Sequence, residues 1–149
     1  MTNKESVNVF FSQQFLAVVG VSRQKTKFGN LIYRELKNKG YKVFPVNPNT
    51  EAILGEHCYP NLASLPMKVG GVVIVVKPDQ TEKVVKEASA AGIENIWLQQ
   101  GSESRQAIQY CQENGLNVIH GECILMFIKN SFPHSTHRWI WKLIGKLPN

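Results

Sequence analysis

The 149-residue sequence contains no CxxC pair, no secretory signal pattern and no apolar run long enough to cross a bilayer. Its cysteines are odd in number and far apart, at Cys58, Cys111 and Cys123, which argues against a disulfide framework. We therefore expect a reduced, cytoplasmic protein.

Acidic residues are scarce beside basic ones, 11 against 17, which gives a net charge of +6. This balance suits a nucleic acid, an anionic membrane surface or a small polyanion. The basic residues do not form runs, however, and no aromatic-rich RNA-binding strand accompanies them. We expect neither a nucleic-acid nor a membrane partner, and the small polyanion remains.

The sequence also lacks the dinucleotide fingerprint of three closely spaced glycines followed by an acidic residue for the ribose. Gly20 and Gly29 are nine residues apart, and the second predicted strand leads into Asn47. NAD is therefore disfavoured, whereas NADP and coenzyme A carry an additional ribose phosphate that basic residues suit. Lys42 and Asn49 are candidate partners for that phosphate.

An apolar run, Phe15 to Val19, stops at Gly20, and after a basic segment a helical pattern begins near Phe28 and Gly29. This order predicts a strand, a loop and a helix N-terminus, whose unpaired N–H groups and dipole suit an anion. The loop also carries three basic side chains, Arg23, Lys25 and Lys27. The alternative is that Gly20 is the turn of an ordinary βα unit and Ser22 only a helix cap.

A helix, a glycine and a strand recur along the chain, which predicts an α/β fold. The expected architecture is a three-layer, Rossmann-like, doubly wound parallel sheet of about five strands in a single domain, residues 1–130. A short amphipathic segment within residues 1–13 should pack on the core. The predicted helices cover residues 28–39, 80–91 and 104–114, and the predicted strands cover residues 15–19, 41–46, 71–76, 95–99 and 117–120.

In such a sheet the ligand site lies beyond the carboxyl ends of the strands, near the switch in strand order. Those ends hold glycine, proline, amide and basic residues with one carboxylate, Glu122. They fall at residues 20–23, 45–49, 76–78, 99–101 and 120–123.

Several segments resemble, in order and spacing, the stand-alone coenzyme A-binding domain family, which is similar in fold to the N-terminal domain of the succinyl-CoA synthetase α-subunit. The resemblance covers about residues 10–127. Its most specific motifs are PVNP at residues 45–48, Gly55 followed by Cys58-Tyr59-Pro60, and Trp97-Leu98-Gln99.

The resemblance implies a coenzyme A site at the strand ends. The diphosphate would lie on the loop after the first strand, above the start of the following helix, with the adenosine end at the second strand. The implied residues are Gly20, Val21, Ser22, Arg23 and Lys25 for the diphosphate, Phe28, Gly29 and Asn30 for the helix start, Pro45, Val46 and Asn47 for the adenosine end, Val76, Lys77 and Pro78 for the adenine or the start of the pantetheine arm, and Gln99, Gln100 and Gly101 for its continuation. Many relatives have a lysine where this chain has Asn49, and Lys42 is the candidate substitute.

The candidates for chemistry within the chain are few. Cys123 could form a mixed disulfide with a coenzyme thiol, or serve as a buried apolar residue. His120, Glu122 and Cys123 lack a recognisable oxyanion element, and His134 with His137 lacks a third metal ligand. We therefore expect no catalytic residue and no metal site.

Residues 131–149 combine an apolar stripe with two tryptophans and several basic residues, which predicts an amphipathic helix. Such a helix could cover its own sheet, pair across a homodimer, or dock a partner or a membrane. The leading hypothesis is a non-catalytic coenzyme A-binding module. The alternatives are an NADP-binding redox protein and an interaction protein that acts through the tail.

Overall fold

The computed structural model describes residues 4–22, 27–129 and 131. Its helices are α1 (Lys4–Phe11), α2 (Phe28–Asn38), α3 (Pro78–Ala90), α4 (Arg105–Glu113) and α5 (Leu125–Ile128), with a 3₁₀ turn at Leu62–Ser64. Its strands are β1 (Phe15–Val19), β2 (Lys42–Val46), β3 (Ala52–Ile53), β4 (Glu56–His57), β5 (Gly71–Ile74), β6 (Asn95–Gln99) and β7 (Asn117–Glu122).

The central sheet has five parallel strands in the order β2-β1-β5-β6-β7. Counted among themselves in chain order, these strands run 2-1-3-4-5, and the direction of winding switches between β1 and β5. All four residues of β5 are buried, as expected for a strand covered on both faces. The predicted Rossmann-like α/β fold is confirmed.

One face of the sheet packs against α1, α2 and α5 around Trp97, whose side chain is fully buried. Phe10 of α1 and Phe127 of α5 approach the indole edge to face, each at a centroid distance of 5.4 Å. The indole Nε1 donates a hydrogen bond to the Glu122 carbonyl oxygen at 3.2 Å. The predicted packing of the N-terminal segment on the core is therefore confirmed, with Val7, Phe10 and Phe11 as its buried face.

The other face packs against α3 and α4, with Val85, Ala88, Ala107 and Cys111 buried on β1, β5 and β6. The glycines predicted to end the helices do so: Gly40, Gly92 and Gly115 each follow a helix with a positive φ. Each lets the chain reverse into the next strand.

Some elements were not predicted from the sequence, namely the β3-β4 hairpin, the 3₁₀ turn and α5. Of the tail segment, only Ser131 lies among the described residues. The predicted amphipathic helix, with His134 and His137, lies outside them. Across residues 4–22, 27–129 and 131, no helix combines the length and the apolar character needed to span a bilayer.

Candidate functional site

The turn after β1 lies at the switch in strand order. Gly20 follows β1 with φ +121°, and its N–H donates to the Val46 carbonyl oxygen of β2 at 3.4 Å. A Cβ on Gly20 would overlap the carbonyl oxygen of Val75, which follows β5. The turn therefore lies tightly between the carboxyl ends of the two strands that flank β1. Only glycine both adopts this positive φ without strain and leaves room for the Val75 carbonyl oxygen.

The start of α2 lies directly against this turn. Gly29 packs so closely that a Cβ there would overlap the carbonyl oxygen of Gly20. The N-cap residue of α2, Lys27, makes no capping hydrogen bond through its side chain within the described part of the chain, and the first turn of the helix contains no acidic residue. The positive end of the helix dipole thus faces the loop together with a lysine, an arrangement that attracts an anion.

Two asparagine side chains bind the backbone of the loop. Asn30, which is 1% exposed, donates from Nδ2 to the Ser22 carbonyl oxygen at 2.6 Å and accepts from the Ser22 N–H at 2.7 Å. Asn47 donates from Nδ2 to the Val21 carbonyl oxygen at 2.7 Å, and its Oδ1 accepts from the Asn49 N–H at 2.7 Å. Sequence reasoning placed both asparagines at the site but did not foresee that they would bind the loop itself.

The segment after the β3-β4 hairpin pairs alongside the last residues of β2. The Tyr59 N–H donates to the Pro45 carbonyl oxygen at 3.0 Å, and the Asn47 N–H donates to the Tyr59 carbonyl oxygen at 2.9 Å. The motif Cys58-Tyr59-Pro60 therefore serves to cover the end of an edge strand. Burial raises the pKa of the Cys58 thiol, whose sulfur lies 3.9 Å from the Asn47 carbonyl oxygen.

A buried hydrogen bond joins the segments that follow β5 and β6. Thr81, at the start of α3, is fully buried and donates to the carbonyl oxygen of Ser102, which follows β6. Above it, Lys77 is exposed as the N-cap of α3, Pro78 begins that helix, and Val76 is half-buried. This part of the rim therefore presents one cation and a partly apolar edge.

A carboxylate that was not singled out from the sequence joins the ends of β6 and β7. Glu103 accepts from the Gly101 N–H at 2.8 Å and from the Gly121 N–H at 2.9 Å. Both glycines have positive φ, so each turns its N–H toward the carboxylate. No sequence motif indicates this bridge, because it depends on the turn after β6 and on an irregular part of β7, which are distant in the chain.

The structure brings most of the predicted residues to one rim, but not Lys42. That residue begins β2 and pairs with Phe15, the first residue of β1. Four strand steps separate it from Val46, or about 13 Å. Lys42 therefore lies at the amino ends of the parallel strands, whereas Gly20 and the loop lie at their carboxyl ends. Arg23 and Lys25 lie outside the described residues.

His120, Glu122 and Cys123, the side chains considered for catalysis, lie in β7 and directly after it. Among the described hydrogen bonds, none joins His120 to Glu122 or Cys123. In the same part of the chain, no three His, Cys, Asp or Glu side chains cluster in a way that could hold a metal ion.

Comparison with known proteins gives one consistent picture. Residues 15–129 match the family model of a CoA binding domain. The chain is 29% identical over 126 residues to ADP-forming acetate–CoA ligase I of Archaeoglobus fulgidus, which covers 78% of this chain and 18% of the ligase. The chain thus spans less than a fifth of that relative.

Solved structures share the fold. A conserved hypothetical protein from Pyrococcus furiosus is 38% identical with a TM-score of 0.72, over 76% of this chain and 97% of that one. The apo dinucleotide-forming acetyl-coenzyme A synthetase 1 of Ca. Korarchaeum cryptofilum is 28% identical with a TM-score of 0.67, over 76% of this chain and 27% of that one. Since the family model matches well over half of the chain, the protein belongs to the CoA-binding domain family.

Proposed function

We propose that the protein binds coenzyme A, or one of its acyl thioesters, through the loop after β1, as a non-catalytic module that senses, buffers or presents the coenzyme. The observation that carries this proposal is the contact of Gly20 with Gly29, which brings a helix N-terminus without acidic residues against a glycine turn at the switch point. A diphosphate fits such a site because it needs close approach to backbone N–H groups.

In this proposal the diphosphate lies on residues 20–23 and the start of α2, with Lys25 and Lys27 nearby. The adenosine end lies toward Pro45, Val46 and Asn47. The pantetheine arm passes residues 76–78 and then 99–101. The 3′-phosphate is left to cations of the loop, because Lys42 begins β2 at the opposite end of the strands.

Calorimetric titration of the purified protein with coenzyme A, dephospho-CoA, NADP and NAD tests the proposal. We expect micromolar binding of coenzyme A, weaker binding of dephospho-CoA and no binding of NAD. A preference for NADP would instead favour the alternative of a redox protein. Absence of binding by all four would contradict the proposal, and pull-down with and without residues 131–149 would then test an interaction protein.

The variant Ser22→Glu locates the site. A carboxylate placed in the loop repels phosphate, so we expect binding of coenzyme A to be lost. The matched control is Asn38→Glu, which places the same charge on an exposed position at the far end of α2. Retained affinity in Ser22→Glu would move the site elsewhere.

A further inference from the structure

The backbone of Val21 and Ser22 is bound by amide side chains from two different elements. Asn30 comes from the first turn of α2, and Asn47 from the end of β2. Through Nδ2 and Oδ1, Asn30 bonds to both the C=O and the N–H of Ser22. This is the pairing that a neighbouring strand residue would give, supplied here by a side chain where the chain leaves the sheet.

We infer that Asn30 and Asn47 are positioning residues, which hold the first turn of the loop in its ligand-binding shape before the ligand arrives. The inference rests on the proposed function and deepens it, because it reassigns two predicted contact residues. A loop that is already ordered loses less conformational entropy on binding. Each bond also occupies a carbonyl oxygen, on Val21 or Ser22, whose lone pairs would otherwise repel a phosphate.

At both positions the side chain must donate one hydrogen bond and accept another. Asn47 donates to Val21 and accepts from the Asn49 N–H, so both ends of its amide are used within the protein. An ionised carboxylate can accept but cannot donate, so it would face a carbonyl oxygen without a hydrogen bond. A protonated carboxyl group can do both, and it has nearly the shape of the amide.

This difference gives a test that separates a positioning role from a ligand contact. In Asn30→Asp and Asn47→Asp we expect the affinity for coenzyme A to fall about tenfold or more at neutral pH. Each introduced carboxyl faces a backbone carbonyl oxygen, and in Asn30→Asp it is also buried, which raises its pKa above the ordinary value of about 3.9. The loss, relative to wild type at the same pH, should therefore shrink as the pH is lowered from about 8 to about 4 and the introduced carboxyl becomes protonated. Lys27, the N-cap of α2, stands three residues before Asn30, and its charge and the positive end of the helix dipole act in the opposite direction, toward the ionised form.

Two further variants serve as references. Asn30→Ala cannot regain the bond, so its loss of affinity should not depend on pH. Asn61→Asp is the matched control: Asn61 caps the 3₁₀ turn by accepting from the Ser64 N–H at 2.9 Å, which a carboxylate does equally well. It should bind coenzyme A like wild type throughout.

Hydrogen exchange of the Ser22 amide in the ligand-free protein provides a readout that does not depend on coenzyme A. Exchange should be slow in wild type and at least about tenfold faster in Asn30→Ala. Unchanged exchange in that variant would overturn the inference, and so would a loss of affinity of equal size and without pH dependence in Asn30→Asp and Asn30→Ala. Failure of wild type to bind coenzyme A would overturn the proposed function, while the exchange measurement would still decide the role of Asn30.

Discussion

The Gln99 side chain donates a hydrogen bond from Nε2 to the Cys123 sulfur at 3.2 Å. Its Oε1 accepts from the Ile124 N–H at 3.0 Å, so this buried amide joins the end of β6 to the chain beyond β7. Both ends of the Gln99 amide are thus hydrogen-bonded within the protein. The contact holds the thiol of Cys123, which is partly exposed, at the rim.

We predict that an alkylating reagent labels Cys123 well before Cys58 and Cys111. Burial raises the pKa of both other thiols, that of Cys111 to about 11, so neither forms the reactive thiolate near neutral pH. Mass spectrometry of the labelled peptides measures the three rates, and coenzyme A should slow the labelling of Cys123. Equal labelling of Cys111 would contradict the burial described here.

Gly29→Ala should weaken both folding and ligand binding. Alanine normally favours a helix, but here its Cβ would overlap the carbonyl oxygen of Gly20. We expect the free energy of unfolding to fall by about 1–3 kcal/mol, measured by urea denaturation, and coenzyme A binding to fall with it. Asn38→Ala, at an exposed position of the same helix, controls for helix propensity and should not weaken either property.

Lys27→Glu and Lys42→Glu form a matched pair, because both lysines are exposed and lie at opposite ends of the parallel strands, Lys27 at the carboxyl end and Lys42 at the amino end. We expect Lys27→Glu to reduce the affinity for coenzyme A about tenfold at low salt, and less at high salt. Lys42→Glu should bind like wild type. If Lys42→Glu caused the larger loss in calorimetry, the phosphate site would lie at the amino ends of the strands.

Glu103→Gln should destabilise the rim near Gly101. The carboxylate accepts two backbone N–H bonds, from Gly101 and Gly121, and an amide in its place can keep only one as an acceptor. The expected cost is about 1–2 kcal/mol in urea denaturation. Glu113→Gln, which alters an exposed contact with Gln109 on α4, should change stability much less.

The fold could be predicted from the sequence because its signals are local. The buried strands are short apolar runs, and each of the three long helices ends at a glycine that begins the turn into the next strand. The hairpin at residues 52–57 gave no such signal, since each of its strands has two residues. A pattern with a period of two residues cannot be recognised in so short a strand.

The site could be predicted as a region but not as a set of contacts. Position along a parallel strand decides at which end of the sheet a residue lies, so Pro45 and Val46 lie at the same end as Gly20, and Lys42 lies at the other. The roles of Asn30 and Asn47 depend on side-chain direction in three dimensions, which sequence spacing does not give. Both look like ligand contacts in the sequence, and both bind the loop backbone in the structure.

The helix α1 is part of the folded core although it lies outside the region that matches the family. The family match begins at residue 15, yet Phe10 and Phe11 lie before it and pack on Trp97, at centroid distances of 5.4 and 5.6 Å. Homology and folding therefore have different boundaries here. A fragment trimmed to the matched region would keep every residue of the loop after β1 and leave the central indole of its core open to water on the side that Phe10 and Phe11 cover.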